Sequence, residues 1–311
     1  MDWHQLWKIT SAPDNVPIVI MLFLIPFYTW YGFREAFRND RLIAKLEADP
    51  ELAKTHHRKT QPYVKGWDQT VHVWPYLLKV ELLAAIVVTL ILVVWSICLD
   101  APLEEPANPN LTMNPSKAPW YFLGLQEMLV YFDPWIAGVV LPSIILVGLM
   151  AIPYIDVNPR GNGYYTYRQR KFSIWMFLIG FLVLWLVLII IGTFIRGPGW
   201  MWFWPGETWD HHRIVHSLNV DLHEALGFRD ASMTFKTIFG LGVVGAYLAG
   251  GHLLFLTLFK KYAPELVAKL NPAQLHTTAA LTVMMFGLPL KMAARLMFNI
   301  KYVCVTPWFN I

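Results

Sequence analysis

Five stretches of the chain are apolar for long enough to cross a bilayer, roughly residues 16–33, 76–99, 135–155, 172–195 and 235–259. Each comes close to the about 20 mostly apolar residues that a membrane helix needs. A sixth stretch, 277–290, is shorter and contains Gly287 and Pro289 before running into Lys291, Arg295 and Lys301. It is predicted as a kinked span, with a re-entrant piece or an interfacial helix as alternatives. The pattern therefore predicts an all-α integral membrane protein with five to six transmembrane helices.

Composition agrees. Apolar residues make up 56% of the 311 positions and charged residues 15%, against about 45–50% and about 25% in soluble domains. Mean hydropathy is +0.43. These values argue against a soluble globular enzyme and against disorder, and the net charge of +4 is too small and dispersed for a nucleic-acid protein. Cys98 and Cys304 form no C-x-x-C motif, which excludes a zinc knuckle or a thioether haem attachment of that type. The first apolar stretch follows Asp2 and Asp14 and is longer than a signal h-region, so it reads as a span and not as a cleavable signal.

Charge orients the spans. Arg34, Arg38, Arg41, Lys45, Lys54, Arg58, Lys59 and Lys65 follow the first stretch, Arg160, Arg168, Arg170 and Lys171 follow the third, and Lys260, Lys261 and Lys269 follow the fifth. The positive-inside rule makes these connections cytoplasmic. The N-terminus, 100–134 and 196–233 then face the periplasm or an equivalent positive side, where Trp200, Trp202, Trp204 and Trp209 suit an interfacial aromatic belt. Between residues 39 and 74, Leu42, Leu46 and Leu52 suggest a short amphipathic helix broken at Pro50, in a solvated connector or a partner-docking surface.

Transmembrane b-haem needs histidines in pairs on facing helices. Only His252 falls inside a predicted span, so the chain is expected to supply no haem ligands, and His252 is expected to be hydrogen-bonded across helices. Gly240, Gly242, Gly245, Gly250 and Gly251 in the same stretch suit close helix packing. His211, His212, His216 and His223 lie on the outer segment. His212 and His216 have a metal-ligand spacing, but a wet surface with Asp210, Asp221 and Glu224 is the simpler reading.

The segment 102–156 carries the most specific signal. A Pro- and Asn-rich loop leads into Trp120-Tyr121-Phe122, then Gln126 and Glu127, then a span opened by Asp133-Pro134. The prolines impose a rigid non-helical lead-in. The aromatic run and its nearby polar groups suit a pocket for an amphipathic ring arriving from lipid. Asn114-Pro115, Lys117 and Ala118-Pro119-Trp120-Tyr121-Phe122-Leu123 resemble the quinol-oxidation loop of the C-terminal half of cytochrome b, a separate subunit IV in some bc-type complexes. Trp74-Pro75-Tyr76 with Lys79 and Glu81 is similar to that family's H-P-Y…K-D pattern, with Trp in place of His. The resemblance spans about 74–200, so that helices two to four form the subunit IV-like domain. It leaves 1–73 as an extra helix with its connector, and 201–311 as an outer segment with one or two more helices.

The family's P-E-W-Y glutamate is Pro119 here. Glu127, eight residues further on and about two turns away if the segment is helical, is the acidic group expected to relay a quinol proton, with Tyr121 as a hydrogen-bonding hydroxyl. A structural Glu127, or relay through Asp133, water or a partner chain, stays open. The resemblance implies a quinone site of Pro119, Trp120, Tyr121, Phe122 and Glu127, and a contribution of Lys79 and Glu81 to a second quinone site. It also implies a proton-translocating quinol oxidoreductase of a respiratory or photosynthetic chain in a bacterial inner membrane, inactive as a lone chain. Quinone is the expected cofactor, with menaquinone suggested by the missing glutamate. The implied partners are a four-helix subunit carrying the b-haems, a Rieske iron–sulfur protein and a c-type cytochrome, in a dimeric assembly. The competing reading is a non-catalytic anchor, scaffold or transporter-like subunit reusing the same hairpin.

Overall fold

The computed structural model describes residues 3–56, 73–100, 103, 106–157, 164–213 and 218–311. Arg58, Lys59, Lys65, Arg160 and His216 lie outside the described residues. Six helices are long and apolar enough to cross a membrane: Val16–Ala48, Leu78–Cys98, Ile136–Ile155, Tyr167–Ile195, Met233–Tyr262 and Pro272–Phe298. Among the described residues the only extended pairings are isolated bridges, such as Arg196 with Trp202. The protein is an all-α, multi-pass membrane protein.

Two boundaries depart from the sequence reading. The first span continues to Ala48 as one helix of 33 residues and absorbs Leu42 and Leu46. The break comes at the extended residue Asp49, just before Pro50, where the sequence places it. Asp49 then caps a separate short helix, Pro50–Thr55, accepting from the N–H groups of Glu51 and Leu52. The sixth span is also a complete helix, of 27 residues, running through Pro289. Asn271 and Gln274 form a capping box at its start, Pro272 occupies the first turn, and Asn299 closes it in the left-handed region at φ 57°. A proline inside such a helix is tolerated where neighbouring groups satisfy the freed carbonyl.

The chain divides into two compact units. One comprises residues 2–112 with 160–171, and the other 113–159 with 172–311. In the first, the long N-terminal helix holds the segment after residue 164. Asn39 donates to the Tyr165 carbonyl at 3.0 Å, Asp40 accepts from the Arg168 N–H at 3.1 Å, and the Phe37 and Tyr167 rings lie 5.1 Å apart. In the second, a core of Met128, Tyr131, Phe132, Ile136, Ala137 and Leu188 is backed by Leu288 and Met292 of the sixth span and by Phe309 and Ile311 of the C-terminal tail.

Of the five glycines in the fifth span, two are spacers. A β-carbon on Gly240 would fall 2.5 Å from Cys304 Cα, and one on Gly251 2.9 Å from Val283 Cγ1, whereas Gly242, Gly245 and Gly250 face open space.

Candidate functional site: a two-faced helix and its buried ion pair

The loop that precedes Trp120 is held by side chains of the helix that follows it. Gln126 accepts from the Ala118 N–H and donates to the Ser116 carbonyl, both at 2.8 Å. Asn114 accepts from the N–H of Gly199, a residue at φ +66°. Lys117 donates to the Thr193 carbonyl at 2.9 Å and sits 4.9 Å above the Trp209 ring. Burial lowers the Lys117 ammonium to about 8, while the Glu127 carboxylate pulls the other way.

From this stapled loop the helix Trp120–Met128 starts, with Pro119 preceding it. Its sequence divides it into two faces. Leu123, Gly124, Glu127 and Met128 are buried. Tyr121 and Phe122 are 49% and 52% exposed, and Leu129 just beyond is 46% exposed. The inward face packs on the span Tyr167–Ile195 at close range. A β-carbon on Gly124 would lie 3.3 Å from Ile189 Cγ1, and one on Gly192 would lie 3.2 Å from the Leu123 carbonyl. On the outward face Trp120 and Tyr121 meet edge to face, with centroids 5.6 Å apart, and the Tyr121 and Phe122 rings lie 4.9 Å apart.

Glu127 is fully buried. Arg196 reaches its carboxylate with Nη2 at 2.7 Å and Nε at 3.0 Å, Tyr131 donates at 2.8 Å and Trp200 Nε1 at 3.1 Å. Arg196 in turn donates to the Trp200 carbonyl at 3.1 Å, and its guanidinium lies 5.4 Å from the Trp202 ring. The end of the fourth span widens to bring it there: the Arg196 N–H bonds the Ile191 carbonyl, five residues back, at 2.9 Å. Burial, then Glu127, push the Tyr131 phenol up, with Arg196 opposing.

The same cluster extends to the sixth span. Lys291 is 5% exposed. Its ammonium donates to the Tyr131 carbonyl at 2.7 Å and to the Lys301 carbonyl, 5.5 Å from the Phe132 ring. Tyr131 thus joins two buried charges, through its carbonyl to Lys291 and through its hydroxyl to Glu127.

Residues 106–202 match the family model described as cytochrome b(C-terminal)/b6/petD. The match begins in the proline-rich loop and ends just past the Arg196 cluster, covering about a third of the chain. No curated protein and no solved structure matches the chain.

Within this matched segment, Pro119, Trp120, Tyr121 and Phe122 sit together at one helix start, with Glu127 on the opposite face of that helix. Lys79 and Glu81 are exposed on the helix Leu78–Cys98, in the other compact unit. His211 and His212 occupy a turn and not a helix, and His223 is buried in the short helix Leu222–Ala225. No group of three or more His, Cys, Asp or Glu side chains converges among the described residues.

The sequence reading missed Arg196, Tyr131, Trp200 and Lys291. Their signals were present. Arg196 is the lone cation closing a very apolar span, and Lys291 is an ammonium inside an apolar stretch. Each is too costly to bury without partners.

Proposed function

We propose that this chain is the quinol-oxidising subunit of a cytochrome bc-type complex in a bacterial energy-transducing membrane. The outward aromatic face of the helix Trp120–Met128 forms one wall of the quinol site. A four-helix partner carrying the b-haems supplies the rest, with a Rieske-type protein and a c-type cytochrome as further redox partners. The observation that carries this reading is the exposed Tyr121–Phe122 face on a helix whose other face is immobilised, inside the segment that matches the family. A flat apolar surface bearing one phenol hydroxyl fits an amphipathic aromatic ring. The positive-inside rule places this face on the outer side, where quinol protons leave.

When bound, quinol and the partner's metal centres supply the electron chemistry. This chain's residues do the positioning. Trp120 and Phe122 seat the ring and exclude water, and the Tyr121 hydroxyl hydrogen-bonds a quinol oxygen. Glu127 holds Arg196 and Trp200 behind that wall.

Two experiments test this. Gentle detergent purification of the tagged chain is expected to bring down a b-haem absorbance in the redox difference spectrum; a colourless chain with unrelated partners leaves the scaffold reading. In the assembled complex, Tyr121→Ala with Phe122→Ala is expected to abolish quinol oxidation without loss of haem. Glu127→Gln separates holding from relay: holding predicts a lower melting temperature with an unchanged pH–rate profile, and relay predicts a displaced profile.

A further inference from the structure

The fifth and sixth spans, Met233–Tyr262 and Pro272–Phe298, bring together the only two histidines they contain. His252 Nε2 and His276 Nδ1 are 2.8 Å apart. The rings are nearly parallel, with an interplanar angle of 2° and centroids 5.1 Å apart. His252 is half-buried and His276 exposed. We propose that these two imidazoles form a site for a divalent transition-metal ion of the zinc class, with the remaining coordination positions open to water.

The helices meet here for reasons independent of the histidines. Gly251 lies against Val283, where a β-carbon would be 2.9 Å from Cγ1. The Tyr247 hydroxyl donates to the Val283 carbonyl at 2.6 Å. Packing thus delivers two imidazole nitrogens to one point, which brings the two ligands of a metal site together before the ion arrives.

The spacing selects the kind of ligand. Two nitrogens on a tetrahedral zinc, each about 2.0–2.1 Å from the metal, are about 3.3 Å apart. From 2.8 Å, this requires the nitrogens to part by about half an ångström and the two rings to turn so that both lone pairs converge on the ion. Two axial imidazoles on a haem iron would be about 4 Å apart on opposite sides of a macrocycle, and a direct ring-to-ring hydrogen bond leaves no such space.

The protons balance as well. In the hydrogen-bonded pair one facing nitrogen carries the N–H. On metal binding that proton moves to the remote nitrogen of the same ring, so both ligands stay neutral and no net proton is released. The neighbouring Gln274 does not complete the set, because its side-chain oxygen already accepts from the Asn271 N–H at 2.9 Å and its nitrogen donates to the Tyr154 carbonyl at 2.8 Å. His276 stands in the second turn of its helix, near the end flanked by Lys260, Lys261 and Lys269, so an ion reaches it from the aqueous boundary.

The test is Zn²⁺ titration of the full chain, stripped with chelator in detergent, by calorimetry. One Zn²⁺ per chain in the micromolar range is expected. His252→Ala and His276→Ala are each expected to weaken it by about tenfold or more, with the double variant no worse than the weaker single one. His212→Ala is expected to leave it unchanged. Binding unaffected by either single variant, or no binding, overturns the proposal. Should the variants fail to fold, Cu²⁺ electron paramagnetic resonance on the unaltered chain decides. A two-nitrogen superhyperfine pattern supports the site, and its absence overturns it.

Discussion

The helix Trp120–Met128 has two faces with opposite physical characters. Inward, Glu127 is fully buried with donors on both carboxylate oxygens, and Gly124 meets the fourth span at van der Waals range. Outward, Tyr121 and Phe122 are about half exposed, and the rings of Trp120, Tyr121 and Phe122 meet one another. The inward face has little freedom left, because its carboxylate is hydrogen-bonded on both oxygens and Gly124 lies close against Ile189. The outward face has unspent apolar area and one free hydroxyl. Rigidity on one side is what allows the other to present aromatic rings at a fixed position, the arrangement that binding sites favour.

The comparison can be broken most severely from the inside. Arg196→Met leaves the Glu127 carboxylate buried without its cation, and a loss of about 3–5 kcal/mol is expected, read as a large drop in the melting temperature of the purified protein. Combining Arg196→Met with Glu127→Leu removes both charges and is expected to recover part of that loss, since an apolar pair can replace a buried ion pair at little cost. A double variant no better than the single one would mean that Glu127 is held mainly by Tyr131 and Trp200. Next in size is Lys291→Ala, which strips the Tyr131 and Lys301 carbonyls of their donor and removes a packed side chain. About 2 kcal/mol or more is expected. The proposed quinol oxidation should weaken with it even though the sixth span lies outside the matched segment.

Titration sharpens the contrast further. Lys117 titrates at about 8 in the folded chain against 10.5 ordinarily. Between those values the unfolded chain still binds a proton that the folded chain has released, so this group makes stability rise with pH from about 8 to about 10.5. Tyr131 acts in the opposite sense. Its phenol is raised above the ordinary 10.0, so above that pH the unfolded chain loses a proton the folded chain keeps, and stability falls. Melting curves across this range should therefore lose their rising limb in Lys117→Met and their falling limb in Tyr131→Phe. The smallest structural effect belongs to the outward face. Tyr121→Ala or Phe122→Ala should change stability by no more than about 0.5 kcal/mol while removing the activity proposed for that face. A large stability loss there would mean the rings are part of the fold.

Much of this was legible in the sequence. Hydropathy located five spans outright and the sixth as a shorter, kinked stretch, because a bilayer imposes a length that no tertiary contact can alter. The loop with Asn114, Lys117 and Trp120-Tyr121 marked the segment that the family model matches. The cross-helix hydrogen bond of His252 was also expected, and it is observed.

The partners of these groups were not legible. Arg196 is 69 residues from Glu127, Lys291 is 160 from Tyr131, and His276 is 24 from His252. Local pattern carries no information at such separations. The sequence by itself determined the membrane class, the spans and the aromatic loop, because hydropathy and proline act within a few residues. Only the tertiary structure decided which charges neutralise one another and which histidines meet, because in a poorly hydrated interior a polar group must find whichever partner the packing of distant helices brings within about 3 Å.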